Sequence, residues 1–138
     1  LIKGDARAFS QNTNTMIEQN MRQLVKGICE SYGISYEVKY ETTCPMTFNQ
    51  PQQADAATKA AITLLGADKC DGDIDPRPFS EDFSIMSENT PGCFVLMGNG
   101  VTGSHGRPLH SADYDFNDEL LVQGSSYWVE LVEQQLQK

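Results

Sequence analysis

Residues 16–40 read MIEQNMRQLVKGICESYGISYEVKY, and two different periods meet inside them. Ile17, Met21, Leu24, Val25, Ile28 and Tyr32 recur every three or four residues, one continuous apolar stripe on a helix. Ser10 and Asn12 offer N-caps before it, and Gly33 offers a left-handed stop after it. From residue 34 the period changes to two. ISYEVKY alternates apolar with polar or charged residues, the pattern of a strand solvated on one face. Residues 2–9 read as a short strand ahead of the helix. Residues 1–43 therefore predict strand, helix, strand, and an α/β class follows from that unit.

The remainder extends the alternation. Residues 44–53, with two prolines, an asparagine and three glutamines, read as a linker. An Ala-rich helix is predicted over 53–65, closed by Gly66. An acidic loop broken by Gly and Pro spans 71–79. A short helix is predicted to open at Ser80, with Glu81 and Asp82 favourable at its positive end. CFVLMG, residues 93–98, reads as a buried strand, and a Gly-rich loop fills 98–108. The last helix is predicted from about Asn117, with Leu120, Leu121, Gly124, Trp128, Leu131, Val132 and Leu136 as its buried stripe.

Composition narrows the function classes. The chain has 138 residues, 39% hydrophobic and 21% charged, which suits a soluble globular fold and allows one domain or two small pieces. Lys plus Arg number 10 against 19 Asp plus Glu, a formal charge of −9. That balance argues against nucleic acid and against anionic lipid, and it suits solubility in a cytoplasm. No apolar run is long enough for a membrane helix, and the opening residues do not read as a signal peptide, so none is expected. The opening Leu1-Ile2-Lys3 reads like the interior of a fold, so a piece of a longer polypeptide is expected. Cys29, Cys44, Cys70 and Cys93 contain no C-x-x-C pair, which excludes a zinc ribbon or a thioredoxin-like motif. Buried reduced thiols or two disulfides both fit this spread.

Two motif matches fail on their details. Asp71-Gly72-Asp73-Ile74-Asp75 opens like a calcium loop, but Pro76 stands where the sharp turn needs Gly, and Arg77 adds a cation. Gly98, Gly100 and Gly103 fit G-x-G-x-x-G after a strand, but turn residues follow where a dinucleotide site needs a helix. His110 is different. It is followed by Asp113, Asp115, Asn117, Asp118 and Glu119, acceptors able to orient a metal-binding imidazole. A hydrolytic metal usually takes about three protein ligands, and nothing else here has metal spacing. If His110 is a ligand, its companions lie outside this chain.

Residues 109–119, LHSADYDFNDE, resemble the LH-NP-x-YDFNDE signature of zinc-type amidohydrolases. These are the hippurate hydrolase and N-acyl-amino-acid amidohydrolase branch of the aminoacylase/carboxypeptidase metallopeptidase family. Four further segments are similar in family order: GDARAFS at 4–10, CPMTFN at 44–49, SEDFS at 80–84 and PGCFVLMG at 91–98. Two departures stand out. Arg77-Pro78-Phe79 replaces the usual residues before the EDF segment, and Ser111-Ala112 replaces Asn-Pro.

The resemblance implies an α/β metallopeptidase-type catalytic domain with an inserted α+β lid that usually mediates dimerisation. Residues 1–43 would be the second half of the lid, and 44–138 the C-terminal part of the catalytic domain. The implied reaction is hydrolysis of the amide of an N-acyl or N-aroyl amino acid. Two divalent metal ions (zinc, manganese or nickel) would act in the parent enzyme, with none expected in this piece alone, and a homodimer would form through the lid. The general-base Glu and most metal ligands would lie outside this chain. His110 matches the last metal ligand. Arg7 matches a lid arginine that meets the substrate carboxylate, or else makes a surface salt bridge. Glu81 and Asp82 match a segment near the metals, or cap a helix. Asn49 would hydrogen-bond substrate, or turn the chain. A non-catalytic dimerisation or interaction module is the alternative.

Overall fold

The computed structural model describes residues 1–136; the last two residues of the predicted 44–138 unit lie outside it. The chain separates into two compact units, residues 1–48 with 75–91, and residues 49–74 with 92–138. The stretch 75–91 thus groups with the first unit.

In the first unit α1 spans Gln11–Ser31. Ser10 takes the N-cap with extended backbone, and its Oγ accepts the Thr13 N–H at 3.1 Å. That bond satisfies one of the donors every helix start leaves unpaired. At the other end Gly33 turns left-handed at φ 62°. The Gly33 N–H donates to Glu30 O at 3.2 Å and the Ile34 N–H to Cys29 O at 2.9 Å, the paired bonds of a Schellman stop. Both signals sit where the sequence placed them. Ser10→Ala should lower stability by about 1 kcal/mol, read as an earlier urea midpoint; an unchanged midpoint would mean that the cap is idle.

The segment after Gly33 runs back along α1 and is tied to it by side chains. Arg22 pairs with Glu18 one turn back and donates to Val38 O at 3.0 Å. Tyr40 Oη donates to Asn14 Oδ1 at 2.5 Å, and Asn14 Nδ2 donates to Thr42 Oγ1 at 3.1 Å. Among the described residues there is no strand, so the strands predicted over 2–9, 34–40 and 93–98 are not formed. A strand exists by its ladder, and no ladder is formed among the described residues. Ile34 and Tyr36 remain 58% and 44% exposed, so the alternation has no sheet face to bury. The α1 stripe is likewise uncovered at Met21, Leu24, Ile28 and Tyr32.

In this unit the short helix predicted to open at Ser80 starts later. It covers Phe83–Ser87, three residues beyond the expected opening. Asp82 stands at its N-cap without a side-chain bond. The buried Ser84 folds back instead, its Oγ donating to Glu81 O at 2.6 Å.

In the second unit α2 spans Pro51–Leu65, two residues earlier than predicted. Pro51 occupies the first turn, where its fixed φ suits the helix and its missing N–H costs nothing. The end of the predicted linker is therefore helix. Gly66, at φ 92°, closes it. The helix that we number α3, Phe83–Ser87, is followed in chain order by α4, Leu120–Leu136. α2 and α4 pack together, and the buried apolar residues are Ala57, Ala60 and Tyr127. Alanines at the crossing let the two helices approach.

The α4 stripe is rotated from its predicted position. Tyr127 is buried with Leu120, Gly124 and Leu131 partly covered beside it, while Leu121, Trp128, Val132 and Leu136 are exposed. Leu121, Val122, Trp128 and Val129 make α4 apolar nearly all round, so periodicity alone could not choose the face. No helix among the described residues is long and apolar enough to cross a membrane.

Candidate functional site

The loop between residue 98 and α4 is shaped by close backbone approaches. A Cβ on Gly106 would lie 2.6 Å from the Val101 carbonyl carbon, so only glycine fits there. Ser104–Gly106 forms a single 3-10 turn, and the Gly106 N–H donates to Thr102 O at 3.1 Å. The glycine spacing thus serves a tight turn of the chain.

Beyond it the chain turns again at Pro108, with the Ser111 N–H donating to Pro108 O at 3.2 Å. His110 occupies the third position of that turn, the one that favours glycine when φ is positive. Its φ is 68°, and among the described residues no other non-glycine has a positive value. Such a backbone costs about 1–3 kcal/mol and persists only where its surroundings hold it. The surroundings are visible. Arg107 Nε meets Asp113 Oδ2 at 3.0 Å, three residues either side of His110. Asn99 Nδ2 donates to His105 O at 3.0 Å and to Asp115 O at 2.8 Å, and Asn99 Oδ1 accepts the Asn117 N–H at 2.8 Å. His110 itself is exposed, and no described residue hydrogen-bonds its ring. The sequence pointed to His110 but not to Asn99; an asparagine set between Gly98 and Gly100 was the available signal.

Asn49 belongs to the same unit. Its Nδ2 donates to Phe94 O at 2.9 Å and its Oδ1 accepts the Phe94 N–H at 2.8 Å, the way a strand neighbour would. The amide is therefore engaged by the backbone of 94.

Arg7, Glu81 and Asp82 lie in the first unit. Arg7 Nε and one terminal nitrogen donate to Asp5 Oδ2 at 2.8 and 2.6 Å, and the other donates to Ser80 Oγ at 2.5 Å. Of the two readings of Arg7, the salt bridge is the contact present; a substrate carboxylate would have to displace Asp5. Ser80, expected to cap a helix, instead receives this guanidinium. Glu81 contributes its carbonyl to Ser84, and Asp82 is exposed.

All four cysteines are free. Burial pushes the Cys93 thiol above its ordinary value. Burial and then the Cys93 charge push the Tyr127 phenol up as well. Both groups hold their protons more tightly folded than unfolded. The stability they contribute is complete below the unfolded values and is lost as pH rises through the raised ones. Unfolding midpoints should therefore fall on the alkaline side, and Cys93→Ala should flatten the fall. A midpoint that climbs with alkali would contradict this arrangement.

As a metal centre the described residues are incomplete: no group of three or more His, Cys, Asp or Glu could hold an ion. As a single donor His110 fits, exposed and without a competing partner.

Residues 4–134 match the sequence profile of peptidase family M20/M25/M40. Over 130 residues the chain is 28% identical to a hippurate hydrolase of Campylobacter jejuni, covering 94% of this chain and 33% of that protein. Over 127 residues it is 28% identical to thermostable carboxypeptidase 2 of Saccharolobus solfataricus, covering 90% and 31%. The chain spans about a third of the length of the curated relatives it matches. No solved structure matches it significantly.

Proposed function

The chain belongs to peptidase family M20/M25/M40, and from that premise we propose that it is part of a metal-dependent hydrolase cleaving the amide of N-acyl or N-aroyl amino acids, hippurate among them. The observation that carries this reading is His110, an exposed, unpartnered imidazole on a left-handed backbone inside the LHSADYDFNDE segment. Strained backbone of that kind concentrates at functional sites. The name of the Campylobacter relative supports the hippurate-like substrate class.

In this reading His110 donates one bond to a divalent metal, and the remaining ligands and the general base come from polypeptide outside these residues. When bound, two such ions supply a water of lowered pKa and polarise the scissile carbonyl. Arg7 orients the substrate carboxylate through its planar fork, exchanging Asp5 for the substrate. Glu81 and Asp82 are assigned to substrate binding by the resemblance of their segment, and Asn49 holds the chain at Phe94 while presenting its remaining acceptor capacity. Residues 1–43 act as half of a lid that pairs two copies, and 44–138 complete an α/β catalytic domain whose strands pair once the rest of the sheet is supplied. Zinc, manganese and nickel are the candidate ions. The free thiols and acidic balance support a cytoplasmic location.

The test is hydrolysis of hippurate and a panel of N-acyl amino acids by the whole polypeptide, before and after chelation and with each metal restored. Chelator-sensitive amide cleavage is expected. Cleavage indifferent to chelation, or none on any N-acyl amino acid, overturns the proposal. The uncovered stripe of Met21, Leu24, Ile28 and Tyr32 on α1 favours a second reading, a non-catalytic association module. An inactive whole polypeptide that still dimerises would select it.

A further inference from the structure

We propose that Asn99 is a positioning residue for His110, a single side-chain amide that closes the loop presenting the imidazole. This rests on the reading of His110 as a metal donor. The two protons of one Nδ2 go to His105 O at 3.0 Å and Asp115 O at 2.8 Å, carbonyls five residues before and five residues after His110. The same side chain accepts the Asn117 N–H at 2.8 Å on Oδ1, and Asn117 Nδ2 returns a longer bond to Asn99 O at 3.4 Å. Every hydrogen of the amide is used, and its oxygen is used as well.

The consequence for His110 is mechanical. A positive φ at a histidine relaxes unless the flanking chain forbids it. The feet of the 105–115 loop are held chiefly by this amide, with one longer contact of the His105 ring to Asp115 O at 3.3 Å beside it, and the Arg107–Asp113 pair inside it is exposed and contributes little. With the feet released, His110 can return to negative φ and its ring swings away from the direction the turn gives it. Aspartate cannot replace Asn99, because a carboxylate accepts only and would face two carbonyl oxygens.

The experiment uses the whole polypeptide with Co²⁺ as probe, read by its visible absorption bands. Asn99→Asp should weaken Co²⁺ binding about tenfold or more, the scale of outer partners that orient a ligand, and alter the bands, with little change in unfolding midpoint. In a His110→Ala background the same substitution should cost almost nothing further, because the group it positions is gone. Should Asn99→Asp fold poorly, Asn99→Ser removes the paired N–H donors without placing a charge there and is held to the same result. Co²⁺ affinity unchanged by Asn99→Asp while His110→Ala weakens it overturns the Asn99 inference alone. So does an Asn99 penalty that persists undiminished without His110. Unchanged affinity in His110→Ala overturns the metal-donor reading itself.

Discussion

His110→Ala should lower amide hydrolysis by several orders of magnitude while leaving the unfolding midpoint almost where it was. Both halves of that result come from the same geometry. The ring is exposed and bonded to no described residue, so removing it breaks no packing and no hydrogen bond. In the proposed enzyme it supplies one of the few bonds that fix a catalytic ion, and losing one ligand displaces the reacting atoms. A structural histidine would behave oppositely, with stability falling and activity per folded molecule retained. His105→Ala is the internal control. Its ring reaches only Asp115, at 3.3 Å to the carbonyl and 3.9 Å to the carboxylate, and the loss should be small. A third variant separates backbone from side chain. His110→Gly should be equally inactive but more stable than His110→Ala by about 1 kcal/mol, since glycine takes positive φ without the Cβ penalty. If His105→Ala proves the more damaging, the assignment of the site to His110 fails.

Tyr127→Ala should destabilise the second unit by about 3–5 kcal/mol, the range for deleting a buried aromatic side chain. Tyr127 is 7% exposed and, among the described residues, is the one large apolar side chain that is buried; it lies on α4, which packs on α2. The other buried apolar side chains among the described residues, Ala57 and Ala60, are small. Trp128 stands edge-on beside it, at 5.6 Å between ring centres, but is itself exposed and cannot substitute. Tyr127→Phe should cost far less, because the ring rather than the hydroxyl fills the gap. Activity should fall with the folded fraction and be retained per folded molecule, which distinguishes this variant from His110→Ala. A Trp128→Ala change more damaging than Tyr127→Ala would mean that the opposite face of α4 is the packed one.

The local grammar of the chain was legible where the decision is local. Ser10, Gly33 and Gly66 start and stop their helices as read, because caps act through neighbouring backbone groups. His110 was singled out by the residues around it, and its role as a metal donor stands as a proposal. What could not be read depends on partners distant in sequence. Strands at 34–40 and 93–98 have the right alternation and composition, but a ladder requires a second backbone. On α4, Tyr127 rather than Trp128 is buried, a choice made by packing against a helix distant in sequence and invisible to a count of apolar positions. Pro51 was read as part of a linker and is instead a helix start, since its meaning depends on which side of it the helix lies. Asn99 passed as a loop residue because its three bonding partners, His105, Asp115 and Asn117, come together only in three dimensions.

The residue after Asn99 is Gly100, whose backbone bears no side chain to shield its nitrogen. An asparagine in that setting undergoes slow chemical ageing: the following backbone nitrogen attacks the side-chain carbonyl, ammonia leaves, and water reopens the ring to an acid. The bonds that tie the Asn99 amide to His105, Asp115 and Asn117 also hold its carbonyl away from that attack. The clamp that sets the loop therefore guards its own chemistry. Loosening the loop by heat or mild denaturant should start a clock, with ammonia released and metal affinity lost in step, and the loss would not reverse on refolding.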